Sequence, residues 1–254
     1  MATGRPSANL ILGNLPSEDF DLLRPHLRSV ELSFGQILIE AGETVHRIYF
    51  PHSGIISIMA RLRRGETIEV AAIGRDGVIG DGAALHEVPA PAAAMVRFPG
   101  VASAIDATHF RAAVEQSQSL REALMRHQWV RTLKAEQTVA CNAAHSAEER
   151  LCRRLYQSRE LSGSDAMLLS QDMMAQMLGV KRNTISLIAH ALQQQGVIRY
   201  SRGRMLIVNV EELARRACEC HVSDRLGGAP SELRDMPPPR PPLVPREQFQ
   251  RIPS

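Results

Sequence analysis

Glycine and proline are absent from residue 107 to about residue 161, and this stretch constrains the fold more than any other feature of the sequence. Both residues are common in loops and at helix ends, so their absence predicts a long helix or two helices that abut. We place this long helix at residues 107–147. Its apolar residues recur at heptad-like spacing, which fits either ordinary core packing or self-association. They are Val130, Leu133, Ala140, Ala144, Ala147 and Leu151.

The preceding part of the chain has the opposite character. From Val30 to about Asp106, short runs rich in β-branched residues alternate with turn-forming glycines and prolines. Strands that recur about every 8–12 residues are typical of a sandwich, jelly roll or barrel. We therefore predict an antiparallel β-roll over residues 9–106, opened by a short helical start. The run GVIG at residues 77–80 is included among these candidate strands.

The two ends of the chain differ from its middle. Residues 1–8 are small and polar, and we predict a flexible N-terminus. Residues 230–254 contain eight prolines, a composition that does not build a core. The segment 223–254 is therefore predicted to be a disordered, proline-rich tail.

Composition excludes several classes of protein. No apolar run approaches the ~18–20 residues that a membrane helix requires. The N-terminus has no long apolar segment of the kind found in secretion signals. All four cysteines follow residue 140, and without a secretion signal they do not indicate a disulfide framework. These features predict a cytoplasmic protein with no membrane partner.

The charge is concentrated in one part of the chain. The whole chain carries +3, yet residues 150–204 hold nine basic side chains against three acidic ones. A basic module on a mildly acidic body favours a polyanionic partner. The charge count alone is equally compatible with a basic face that only contacts water.

Residues 171–190, QDMMAQMLGVKRNTISLIAH, have the spacing of a helix–turn–helix. A small residue, Ala175, stands where the second helix would cross the first. Gly179 follows four residues later, where the chain must turn through positive φ. Ile185 and Ile188 lie on one face of the second helix and can pack against the first. These four residues are the predicted framework of the motif.

The other face of the second helix is polar. It is followed by GVIRYSRGRMLIVN, which predicts a hairpin with arginines at its tip, known as a wing. Such side chains can contact phosphates and base edges in a major groove. The predicted partner is double-stranded DNA, and the predicted contacts are Ser170, Gln171, Lys181, Arg182, Asn183, Thr184, Ser186, Arg199, Arg202 and Arg204.

The order of these parts resembles the Crp/Fnr family of bacterial transcription regulators. The matching motifs are FGQILIEAGE and YFPHSGIISI in the roll, AEERLCRRL after the long helix, and the whole helix–turn–helix with its wing. The resemblance implies an α+β protein: a cyclic-nucleotide-binding-like β-roll that senses a signal, a dimerisation helix, and a winged helix–turn–helix over residues 148–222. It also implies a homodimer that reads a two-fold-symmetric site, with RNA polymerase as a further partner and no catalytic residues.

The roll departs from the family members that bind cyclic AMP. Those members carry a Gly-Glu pair and, about ten residues later, an arginine that pairs with the cyclic phosphate. Gly80 and Asp81 occupy the positions of the Gly-Glu pair, with aspartate in place of glutamate. Where the arginine is expected, the sequence has Ala92, Ala93 and Ala94. Arg97 is the nearest replacement, so Gly80, Asp81 and Arg97 are the candidate ligand residues. We predict that cyclic AMP is not the effector and that no cofactor is bound.

The recognition helix also departs from the family pattern. It reads Arg182-Asn183-Thr184, where Arg-Glu-Thr is common, and Leu187 stands where a second arginine is usual. Arg182 could contact a guanine through two hydrogen bonds, and Asn183 an adenine. The usual half-site of the family is therefore not expected.

Two further features bear on metal chemistry. Cys218, Cys220 and His221 form a CxCH run, but the sequence shows no second pair of ligands beside it, and a four-coordinate site needs four donors. We therefore predict packing roles and no metal. The alternative functions are a cupin-like metal enzyme, which the absence of any HxH pair disfavours, and a DNA-binding module without sequence preference.

Overall fold

A computed structural model describes residues 8–220, and His221 and the proline-rich tail lie outside the described residues. Two short helices open the described chain: α1 (Leu10–Gly13) and α2 (Ser17–Leu23), followed by a 3-10 turn at Arg24–His26. Seven strands follow, with one helix among them. They are β1 (Arg28–Leu32), β2 (Ile37–Ile39), β3 (Arg47–Pro51), β4 (Ile55–Arg61), β5 (Thr67–Ile73), α3 (Asp81–His86), β6 (Ala93–Phe98) and β7 (Gly100–Asp106).

The strands form two antiparallel sheets, with the orders β1-β7-β3 and β2-β6-β4-β5. Buried side chains of both sheets, such as Phe50, Ile56 and Val96, share one core, to which Phe110 of the following helix also belongs. The predicted β-roll is therefore confirmed, because the alternating apolar residues of its strands point between the two sheets.

The GVIG run was wrongly included among the strands. It forms only an isolated bridge between Ile79 and Tyr49. Gly80 then adopts φ +89°, which turns the chain out of the sheet and into α3. A side chain at Gly80 would meet Val45 and Ile39, so the close approach favours glycine as well.

The segment 107–147, placed as one long helix, contains two abutting helices, the other arrangement that the sequence allowed. They are α4 (Ala107–Gln116) and α5 (Gln118–Ala144), separated by Ser117. Ser117 is extended, and its hydroxyl accepts a hydrogen bond from the Leu120 amide at 3.0 Å. The chain thus restarts at an N-cap. A second break follows at His145–Ser146, where Ser146 and Glu149 form a capping box that begins the next helix.

The last part of the described chain is a compact α+β unit. Its elements are α6 (Ala147–Ser162), β8 (Ala166–Leu168), α7 (Gln171–Leu178), α8 (Arg182–Gln194), β9 (Ile198–Ser201), β10 (Arg204–Ile207) and α9 (Val210–Arg216). The strands form a small antiparallel sheet in the order β8-β10-β9. Its core is continuous with Ile55 and Phe98 of the roll, so the two units pack against each other. Within residues 8–220, no helix is long and apolar enough to cross a membrane.

Candidate functional site

The turn between α7 and α8 has the geometry that the sequence predicted. Gly179 ends α7 at φ +64°, and the Val180 amide donates to the Ala175 carbonyl at 3.2 Å. Ile185 is fully buried between the two helices, and Ile188 is half-buried against the same core. Ala175, Ile185 and Ile188 all pack in the core between these helices. The apolar ones fix the second helix, and the glycine allows the left-handed conformation at the turn.

The outward face of α8 carries the predicted polar residues. Lys181 precedes the helix as its N-cap residue and makes no side-chain cap hydrogen bond. Arg182, Asn183 and Ser186 are exposed, while Thr184 is half-buried. The first turn of α8 thus presents both cationic and amide side chains to solvent, close to backbone N–H groups at the helix start.

The start of α7 contacts this face directly. Ser170 caps α7 through a hydrogen bond from the Met173 amide at 3.2 Å. The side-chain nitrogen of Gln171, Nε2, donates a hydrogen bond to the Ser186 hydroxyl at 3.3 Å. The side-chain oxygen of Gln171, Oε1, accepts one from Arg182 Nε at 3.5 Å. The two helix starts are therefore joined by hydrogen bonds through Gln171, and Ser170 and Gln171 remain predicted DNA contacts.

Sequence reasoning missed Asp172. Its carboxylate lies 3.4 Å from the Arg182 guanidinium, and both side chains are 63% exposed. An exposed pair of this kind contributes little to stability, about 0–1 kcal/mol. Asp172 appeared in the sequence only as one of three acids in a basic segment. Its pairing depends on the crossing of α7 and α8, so no local pattern could have revealed it.

The predicted wing is the β9–β10 hairpin. Its strands pair with Arg204 opposite Ser201 and Leu206 opposite Arg199. The turn passes through Arg202 at φ +47° and Gly203 at φ +76°. Alternation places Arg199 and Arg204 on one exposed face of the hairpin, and Arg202 is exposed at the tip.

The remaining basic residues of residues 150–204 point elsewhere. Arg153 and Arg154 are buried. Arg159 pairs with Asp165 at 2.5 Å, and Arg150 donates to the Leu178 carbonyl. The exposed basic residues of this segment are therefore fewer than the charge count suggested. They are Lys181, Arg182, Arg199, Arg202 and Arg204.

Comparison with known proteins identifies both halves of the chain. Residues 149–216 match the family described as Crp-like helix-turn-helix domain, and residues 29–117 match the cyclic nucleotide-binding domain family. Together the two matches cover more than half of the 254 residues. The chain belongs to the Crp/Fnr family. No curated protein sequence matches it.

Solved structures share this architecture at low sequence identity. A CRP-family transcriptional regulator from Thermus thermophilus superposes with a TM-score of 0.65 at 15% identity, covering 74% of this chain and 96% of that one. The c-di-GMP-responsive regulator CLP from Xanthomonas campestris gives 0.64 at 14% identity, covering 76% and 100%. FixK2 from Bradyrhizobium japonicum gives 0.63 at 17% identity, covering 76% and 98%. At such identities, the likeness establishes the shared fold.

In this Crp/Fnr chain the three candidate ligand residues of the roll do not come together. Asp81 is buried, and its carboxylate accepts a hydrogen bond from Gln128 of α5 at 2.7 Å. Gly80 begins α3 beside it. Arg97 lies on β6 next to Val96, whose side chain enters the roll core. Because strand side chains alternate, Arg97 points to the opposite face of that sheet. Its grouping with Gly80 and Asp81 is therefore corrected.

Arg97 instead belongs to a buried polar cluster. Its guanidinium lies 3.3 Å from Glu69 Oε2 and donates to the Ser57 hydroxyl at 3.2 Å. Ser57 donates to the same Glu69 oxygen at 2.5 Å. Arg154 of α6 approaches the other Glu69 oxygen at 4.0 Å. Burial lowers the pKa of Arg97, and the nearby Glu69 carboxylate raises it. We call Ser57, Glu69, Arg97 and Arg154 the inner charge cluster; it joins the roll to the DNA-binding domain of the Crp/Fnr fold.

The cysteines of the CxCH run also have partners that the sequence did not reveal. Cys218 and Cys220 pack against Cys141 at the end of α5, and His145 lies beside them. Two further potential ligand side chains, Cys141 and His145, thus come from more than seventy positions earlier. These residues are distant in sequence but adjacent in the fold, because α9 packs beside the start of α6.

Proposed function

We propose that this protein is a homodimeric transcription regulator that recognises a two-fold-symmetric DNA site, with α8 in the major groove. The observation that carries this proposal is the exposed polar face of α8, flanked by three exposed arginines of the wing. In a helix–turn–helix, the start of the second helix approaches base edges, while flanking basic residues contact phosphates.

The side chains divide by position. Arg182 and Asn183 lie in the first turn of α8, where a recognition helix reads bases. Arginine pairs with guanine and asparagine with adenine through two hydrogen bonds each. Arg199, Arg202 and Arg204 lie on a separate hairpin, and their charge suits the DNA backbone. The Gln171 side chain is hydrogen-bonded to both Arg182 and Ser186 and so orients them before DNA binds.

Leu187 adds an apolar contact to this surface. Its side chain is 74% exposed on α8, one residue after Ser186, with no protein core to cover it. An exposed apolar side chain on a recognition helix suits the methyl group of thymine, which only the major groove presents. We infer that Leu187 contributes thymine preference where other recognition helices use arginine.

Homodimerisation is supported by α5. Met125, Trp129 and Val139 are each more than 60% exposed in the single chain. At 100° per residue they fall within an arc of about 80° on one side of the helix. Their 4-3-4-3 register with Thr132 and Glu136 suits pairing with a second copy of α5. The stripe first singled out in the sequence begins with Val130 and Leu133, which are half-buried, so the dimer face is the adjacent one.

The roll is proposed to sense a signal other than cyclic AMP. Asp81 is already hydrogen-bonded to α5, and the buried Arg97 is paired with Glu69 on the other side of its sheet. A cyclic phosphate would therefore lack the guanidinium that accounts for most of its charge-assisted binding.

A selection of bound duplexes from a random pool tests the proposal, using purified full-length protein without effector. We expect a two-fold-symmetric consensus with half-sites about one helical turn apart, and a dimer by light scattering. A parallel selection with cyclic AMP should give the same consensus. Uniform binding with a steep salt dependence would instead support the alternative of a module without sequence preference. No binding by folded dimer, with or without a cell extract, would contradict DNA recognition.

A further inference from the structure

Four potential metal ligands meet at the junction between α5 and the DNA-binding domain. Cys141 lies in the last turn of α5, and His145 is the C-cap residue of that helix. Cys218 and Cys220 follow α9 at the end of the described chain. Each side chain offers one ligand atom, and all four atoms lie within 4.8 Å of one another. Within residues 8–220 this is the one group of three or more such side chains close enough to share an ion.

Two distances between these atoms match those of a single tetrahedral ion, and none exceeds 4.8 Å. Cys141 Sγ lies 3.5 Å from Cys218 Sγ, and Cys220 Sγ lies 3.7 Å from His145 Nδ1. A tetrahedral Zn²⁺ with Zn–S bonds of about 2.3 Å and a Zn–N bond of about 2.0 Å holds its ligand atoms roughly 3.5–3.8 Å apart. The two sulfurs are too far apart for a disulfide, which requires about 2.05 Å.

The surroundings also suit a metal site. His145 directs Nε2 at the Glu219 carboxylate, 3.2 Å away, which leaves Nδ1 facing the cysteines. A metal-binding histidine usually has such a carboxylate on its other nitrogen, because it fixes the ring and its tautomer. Gln137 donates a hydrogen bond to Cys220 Sγ at 3.0 Å. The three cysteines are at least 96% buried, as expected for a closed structural site rather than an open catalytic one.

A positively charged side chain lies beside this cluster. Arg153 makes a side-chain hydrogen bond with Cys141. Arg153 is itself buried. Three thiolates around a divalent cation carry one net negative charge, which the Arg153 guanidinium can offset.

We propose that Cys141, His145, Cys218 and Cys220 form a tetrahedral Zn²⁺ site that fastens the DNA-binding domain to the end of α5. On binding, the three thiols release their protons and the imidazole binds through Nδ1. The ion then connects positions 77 residues apart, with the whole helix–turn–helix and wing between them. It therefore restrains the angle at the His145–Ser146 break, through which α5 holds the recognition helix.

The first test is the metal content and spectrum of the reduced full-length protein. Elemental analysis after dialysis should give one zinc per chain. After chelation, titration with Co²⁺ should produce the visible bands of tetrahedral cobalt and a sulfur-to-cobalt charge-transfer band. Zn²⁺ should displace these bands and raise the unfolding temperature, because the ion binds only the folded chain.

Matched variants separate this site from a general effect on folding. Cys218→Ser and His145→Gln should lose the metal and the cobalt spectrum while circular dichroism shows an intact fold. Cys152→Ala removes the cysteine outside the cluster and should keep both. Glu219→Gln, a change at a positioning residue, should weaken Co²⁺ binding roughly 10-fold.

Three results would overturn the proposal. The first is folded wild-type protein with neither zinc nor a cobalt–thiolate spectrum. The second is a Cys141–Cys218 disulfide, seen as a mass loss without metal uptake under mild oxidation. The third is metal retained by His145→Gln but lost by His221→Gln, which would remove His145 from the ligand set.

Discussion

The DNA-binding domain has two arginine-rich sides that look alike in sequence and differ in the fold. On the outer side, Arg182 is 63% exposed and paired loosely with Asp172. On the inner side, the Arg154 side chain is 10% exposed and lies against Glu69 of the roll. The outer charges keep most of their hydration and have only a weak protein partner, which suits the proposed contact with DNA. The inner charges have lost water and depend on their protein partners.

The comparison teaches that net charge is a poor guide to function unless burial is known. Arg153 and Arg154 contributed to the positive count of residues 150–204 as much as Arg199 or Arg204 did. In the fold, Arg154 belongs to a contact between domains, and Arg153 lies beside Cys141. Changes on the inner side should therefore alter stability and domain placement, and changes on the outer side should alter DNA binding.

The largest effect is expected for Glu69→Ala. It leaves Arg97 and Arg154 buried without their carboxylate, which should lower the free energy of unfolding by about 3–5 kcal/mol. Chemical unfolding measures this loss. Glu66→Ala, an exposed acid at the start of the same strand region, is the matched control and should change stability little. Equal losses for the two variants would show that the inner charge cluster does not hold the domains together.

The second expected effect is that of Arg182→Ala on DNA. Loss of a bidentate base contact should weaken binding to the selected duplex by about 1–3 kcal/mol, or roughly 5- to 150-fold, and relax preference at one base pair. Fluorescence anisotropy on the selected and base-substituted duplexes measures both quantities. The unfolding temperature should stay near the wild-type value. An equal loss on random duplexes would contradict a base-reading role.

A smaller effect is expected for Arg204→Ala. As a phosphate contact, it should weaken specific and random duplexes by similar factors and reduce the slope of log affinity against log salt by about one. Binding across a salt series measures the slope. Arg61→Ala, exposed on the roll, should leave both affinity and slope unchanged. A change in base preference for Arg204→Ala would assign the wing a reading role instead.

The smallest effect is expected for Asp172→Ala. The exposed pair with Arg182 should contribute no more than about 1 kcal/mol to stability. Freed of this partner, Arg182 should bind random duplexes slightly more tightly, with little change in unfolding temperature. Calorimetry and anisotropy measure the two effects. A destabilisation as large as that of Glu69→Ala would show that the outer and inner sides are not distinct.

Much of the fold was predictable because it rests on local patterns. The roll, the helix–turn–helix and the wing each follow from strand alternation, from Gly179 at a positive-φ turn, or from apolar residues on one helix face. The break at Ser117 was less visible, since a serine can continue or cap a helix. The strand prediction for the GVIG run was wrong for a related reason. Its apolar residues suit a strand, but Gly80 turns the chain into α3.

The candidate site residues also fall into two groups, those that local sequence could predict and those that it could not. The residues on α8 and the wing lie within one short segment, so their exposure to solvent could be inferred from spacing. Arg97 could not be placed, because its function depends on which face of the sheet it occupies and on Glu69, 28 residues earlier. The ligand set of Cys218 and Cys220 was incomplete for the same reason, since Cys141 lies 77 residues before Cys218.

The sequence by itself determined the family, the order of the domains and the residues that α8 presents to solvent, because each depends on periodicity and on motifs within a few turns of chain. The tertiary structure decided which arginines are buried between the domains and which face of α5 is exposed. It also decided that Cys218 and Cys220 meet Cys141 and His145 at the end of that helix. These outcomes depend on the packing of segments distant in sequence, and no local pattern contains that information.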